Sequence, residues 1–111
     1  MIAGGGDKGS TIIGRTLTLD TSNLANSWVV SDSMAPRNHH NLVLLPNGSV
    51  LAVGGNNVFN NASAGPVKRP QIWTPNASGG GGVWTDTTGS NRLAEQSTRR
   101  GAHSTAILLP D

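Results

Sequence analysis

The 111-residue chain contains no cysteine and no tyrosine, a single phenylalanine and a single glutamate, Glu95. Without cysteine, disulfides, thiolate metal sites and cysteine nucleophiles are excluded within this chain. Charged residues amount to only 13%, too few for a disordered acidic or basic tail. The long Ala/Leu/Glu/Lys runs of a helical bundle are absent too. No apolar run reaches the length of a membrane-spanning helix. The residues Met1-Ile2-Ala3-Gly4-Gly5-Gly6 offer neither the charged region nor the apolar stretch of a signal peptide. What is abundant is turn-forming: 15 glycines and 6 prolines, set between short β-branched runs. A chain of this length and content reads as one modest, all-β domain.

Eight basic residues against six acidic ones give a formal charge of +2, yet the pI is about 10.0. With tyrosine and cysteine missing, almost nothing titrates between histidine and lysine, so a small positive excess carries the pI upward. The basic residues are scattered apart from Lys68-Arg69 and Arg99-Arg100, without the interleaved aromatics of a stacking platform, and no nucleic-acid partner is expected. The three N-x-S sequons, at Asn47, Asn61 and Asn76, are of the kind that chance produces in an Asn- and Ser-rich chain.

The chain repeats itself. Arg37-Asn38-His39-His40-Asn41-Leu42-Val43-Leu44-Leu45-Pro46-Asn47 matches Arg100-Gly101-Ala102-His103-Ser104-Thr105-Ala106-Ile107-Leu108-Leu109-Pro110-Asp111, with one extra residue in the second copy. Such an insertion is the sequence signature of a β-bulge. Ile2-Ala3-Gly4-Gly5 echoes Ala52-Val53-Gly54-Gly55, and Trp28 echoes Trp84. The order is glycine pair, Trp segment, Arg-to-Pro segment, then the same again, with a period of about 50–65 residues that falls in the range of kelch-type propeller repeats.

Strand signals fill this frame. Residues 41–45 and 49–53 form a hairpin around Pro46-Asn47-Gly48, followed by strands at 71–74 and 83–87, with earlier ones at 15–20 and 28–30. No segment has helical apolar periodicity. The expected architecture is kelch-type β-propeller blades, about two four-stranded antiparallel blades in all. Residues 1–33 hold the end of one blade, 34–88 a complete blade and 99–111 the first strand of the next. Because a propeller closes as a ring of roughly 4–8 blades, the remaining blades are expected from a longer chain or from self-association.

The segments from Met34 through Gly48, Val53-Gly54-Gly55, Ile72-Trp73-Thr74-Pro75 and Arg100 through Asp111 together resemble consecutive blades of the galactose oxidase and glyoxal oxidase family. That resemblance implies a secreted, extracellular copper radical oxidase that oxidises an alcohol or aldehyde with dioxygen and releases hydrogen peroxide. It also implies an Arg-x-Tyr-His-Ser motif whose histidine is an equatorial copper ligand. Here the motif reads Arg100-Gly101-Ala102-His103-Ser104, which puts His103 at the ligand position in a full-length context and Ala102 where the family has its tyrosine. A methyl group neither binds copper nor accepts a proton. The family's cross-linked Tyr–Cys pair is also absent from this chain, which is therefore expected to hold no complete active site, no catalytic residue and no cofactor of its own. The expected role is structural or ligand-presenting. The alternatives are a share in a parent copper oxidase or a carbohydrate- or wall-binding propeller.

The other residues have structural readings. His39 and His40 are adjacent, so on a strand they face opposite ways and cannot chelate one ion. Asp7-Lys8-Gly9-Ser10 lacks phosphate-loop spacing, and the glycine pairs are read as points of close packing. Trp28, Trp73 and Trp84 are expected in the core, and Arg37 and Arg100 are expected to tie neighbouring blades together by hydrogen bonds.

Overall fold

The computed structural model describes residues 1–6, 11–23, 25–59, 65–101 and 104–110. Among them there are seven strands and no helix: β1 (Ile2–Gly5), β2 (Ile13–Thr18), β3 (Val29–Ser31), β4 (Asn41–Leu44), β5 (Val50–Val53), β6 (Gln71–Pro75) and β7 (Gly82–Trp84). They form two antiparallel sheets in sequence order, β1-β2-β3 and β4-β5-β6-β7. The fold is all-β, as expected, with a three-stranded sheet followed by a four-stranded one.

Local chemistry explains the hairpin of β4 and β5. Gly48 takes φ +81°, its amide donates to the Leu45 carbonyl at 2.9 Å, and the Leu45 amide donates to Ser49 at 2.8 Å. The Asn47 side chain accepts from the Ser49 amide at 3.1 Å. A Pro-Asn-Gly turn thereby fixes the register Leu42↔Ala52, Leu44↔Val50.

The core lies between the sheets. Ala3 from the first sheet, Met34 from the connection, and Ala52, Trp73 and Trp84 from the second form one buried cluster. Both indoles also cross the seam by hydrogen bonds: Trp84 Nε1 donates to Thr16 Oγ1 at 2.9 Å and Trp73 Nε1 to Ser31 Oγ at 3.1 Å. Trp28 departs from the expected core position and is 47% exposed. It precedes β3 at the edge of the first sheet, among residues that are exposed from Ser27 to Val30, where no second sheet covers it.

β2 begins two residues earlier than its Thr/Leu alternation indicated. Its Gly14 sits where any Cβ would run into the Met34 carbonyl, and the Met34 amide donates to the Gly14 carbonyl at 2.9 Å. Glycine within the strand marks close backbone approach. Residues 104–110 carry no strand pairing. No helix among the described residues is long and apolar enough to cross a membrane.

Candidate functional site

Two places gather polar chemistry: the joint where the glycine pairs meet the Arg-to-Pro segments, and a cleft between loops at one end of the sheets. The joint is made twice. Gly5 donates its amide to the Arg37 carbonyl at 3.0 Å, and Gly55 donates to the Arg100 carbonyl at 2.7 Å. Gly4 and Gly54 have φ of +69° and +72°, and a Cβ on either would lie 2.6 Å from the same arginine carbonyl. Only glycine tolerates both the conformation and the approach. The repeat seen in the sequence is therefore also a repeat in space.

Arg37 anchors the first joint and is fully buried. Its guanidinium donates to the carbonyls of Ala35, Gly54 and Arg69 and to Gln71 Oε1, over 3.0–3.3 Å. Gln71 in turn accepts from the Ala35 amide and donates to the Thr85 carbonyl, each at 2.8 Å. The guanidinium partners lie within residues 35–71, so the side chain binds its own sheet together. The hydrogen bond to the first sheet is made by the Arg37 main-chain carbonyl. Burial pulls the guanidinium down to about 10, which leaves it cationic at neutral pH.

His40 stands beside this group, half-buried between Gly4 and Gly55. Burial, and secondarily the Arg37 charge, lower it to about 4, against an opposing hydrogen bond to the Ala3 backbone. It is neutral at physiological pH. His39 is exposed, takes φ +52° and lies near Phe59, with ring centroids 6.4 Å apart. The two imidazoles thus have separate surroundings.

Next to the joint, Asn38 and Asn56 exchange both backbone hydrogen bonds, at 2.9 and 3.0 Å. Their buried side-chain amides have no hydrogen-bond partner among the described residues. Nothing in the sequence separated these two asparagines from the many exposed ones.

His103 and Ala102 lie outside the described residues, as do Asp7-Lys8-Gly9-Ser10 and the Asn61 sequon. Among the described residues, no three His, Cys, Asp or Glu side chains converge to hold a metal ion. Glu95 pairs with Arg69 at 2.8 Å. The same arginine also donates to the Leu93 carbonyl, so this pair holds down the connection that follows β7.

The second place is a cleft of about 510 Å³ between the β2–β3 connection and the β6–β7 turn. Its polar lining includes Asp20, Asn26, Ser27 and Asn76, around the edge of Trp73 and Pro75. Hydrogen bonds from the Ser22 hydroxyl and amide hold the Asp20 carboxyl below its usual range. No described lining residue is basic.

No family model matches the chain, and no curated protein or solved structure matches it.

Proposed function

We propose that this chain is a structural segment of a kelch-type β-propeller similar to those of the galactose oxidase family, in which consecutive sheets stack through a glycine-pair joint. The observation that carries the reading is the twofold occurrence of that joint, Gly5 on the Arg37 carbonyl and Gly55 on the Arg100 carbonyl. Two sheets in an unrelated arrangement would have no reason to repeat it at residues that also match in sequence. The described residues do not fit a copper radical centre. The donor set lacks tyrosine and cysteine throughout the sequence, and no metal-ligating cluster forms among them. The test is to add copper(II) alone, followed by alcohols and aldehydes under dioxygen. We expect no ordered copper spectrum by electron paramagnetic resonance and no hydrogen peroxide, whereas catalytic peroxide release would overturn the structural role.

The cleft favours a second, compatible reading in which the segment also presents a ligand. Asp20, Asn26 and Asn76 offer hydrogen-bond acceptors and donors beside the apolar edge of Trp73, the combination a sugar ring uses. Titration with neutral mono- and disaccharides should shift the backbone resonances of residues 26–29 and 76–81, and Asn26→Ala should remove the shifts. Unchanged spectra at millimolar sugar would eliminate this reading.

A further inference from the structure

We propose that the hollow between the segment leading into β6 and the chain that follows β7 binds a small monocarboxylate with an apolar body. The inference goes beyond the structural role above and does not depend on it, because every residue involved belongs to the second sheet and its connections, residues 35–96. The hollow has a volume of about 470 Å³, within the range of small-molecule sites.

Its walls are fixed before any ligand arrives. On one side the Val67 amide donates to the Gly55 carbonyl at 2.9 Å, and the Lys68 carbonyl accepts from the Gln96 amide at 3.1 Å. Arg69 crosses to the other side, where it pairs with Glu95 at 2.8 Å and donates to the Leu93 carbonyl. From behind, the buried Arg37 guanidinium donates to the carbonyls of Ala35 and Arg69, at 3.3 and 3.1 Å. Lys68 is thus carried on a segment tied down at both of its neighbours, and little ordering remains to be done on binding.

The charges around the hollow do not balance. Arg69 and Glu95 neutralise each other. Arg37 bonds only to carbonyls and to the Gln71 amide oxygen, so it adds a buried positive charge with no carboxylate among its partners. Lys68 is half-buried and belongs to no ion pair among the described residues, whereas lysine is seldom buried without an opposite charge. An anion seated here would supply one. Pro36, Pro66 and Val67 give the hollow an apolar surface for the body of that ligand, and Thr87 and Thr88 add hydroxyl donors for its carboxylate. Glu95 on the same lining opposes a second negative charge, which favours a carboxylate over a phosphate dianion.

Titration of the whole chain with sodium benzoate, followed through its backbone amide resonances, tests this. Benzamide serves as the neutral counterpart and inorganic phosphate as an anion without an apolar body. At constant ionic strength, benzoate at millimolar concentration should shift the amides of residues 67–69, 87 and 88, and benzamide and phosphate should each bind at least about tenfold more weakly. Lys68→Gln should lower the benzoate affinity about tenfold, and Lys68→Arg should keep most of it. Absence of benzoate shifts would overturn the proposal, as would benzamide binding as tightly as benzoate or a Lys68→Gln chain that binds benzoate like the wild type. Phosphate binding as tight as that of benzoate would reduce the site to a surface cation and overturn it too.

Discussion

The two glycine joints are built alike and end differently. At the first, the segment that follows Arg37 continues into a four-stranded sheet, and the joint lies over a core of Ala3, Met34, Ala52, Trp73 and Trp84. At the second, the described residues 104–110 carry no strand pairing, and Ile107 and Leu109 are exposed. The hydrogen bond and the close approach are nonetheless nearly the same, at 3.0 and 2.7 Å for the amides. The joint is therefore a local device, set by a glycine pair and one carbonyl. Burial is the separate contribution of the strands that follow.

Substitutions should pull these two contributions apart. The largest effect is expected for Arg37→Met, which leaves Gln71 and three carbonyls without their buried cationic donor and should cost about 3–5 kcal/mol in chemical denaturation. Arg37→Lys should recover little, since an ammonium cannot reproduce the fork. Next is Gly4→Ala, where a positive φ and a 2.6 Å approach to the Arg37 carbonyl should cost about 1–3 kcal/mol of global stability. The matching Gly54→Ala has the same local clash but should mainly release residues 100–110, seen as faster amide exchange there with a smaller change in unfolding midpoint. Equal global losses from the two would mean that both joints contribute equally to the cooperative core.

The pH dependence at the first joint is smaller and has a definite sign. His40 is held at about 4 when folded and titrates near 6.5 when unfolded, so between these values the unfolded chain binds more protons. Its contribution to stability is complete above about pH 6.5 and is lost as the pH falls towards 4. His40→Gln should flatten that part of the thermal-stability profile relative to wild type. Least of all, Glu95→Gln should cost below about 1 kcal/mol, because its pair with Arg69 lies at the surface.

Much of the fold was legible because its signals are local. Pro46-Asn47-Gly48 marks a turn by backbone chemistry alone, and the second sheet's strands fall within a few residues of their expected bounds. β7 is shorter than expected, ending at Trp84, although the Thr85 amide still donates to the Ile72 carbonyl at 2.8 Å. The long-range features were less accessible. Gln71 gives no sign in sequence that it orders Arg37, since the two are 34 positions apart. The likeness of Trp28 to Trp84 points to the core, but burial depends on a neighbouring sheet rather than on the residue, and Trp28 is exposed. Each wall of the cleft comes from a different sheet, and no periodicity relates them. His103, the one residue the resemblance offered as a metal ligand, lies outside the described residues.

The most direct test of the repeated joint is hydrogen exchange at the Gly5 and Gly55 amides, resolved by NMR on the same sample. Both should exchange more slowly than the unstructured-chain rate, with Gly5 near the global unfolding limit and Gly55 faster. A Gly55 amide exchanging at the unstructured rate beside a protected Gly5 would mean that the second joint is not formed, and the account of the chain as stacked repeats would fail.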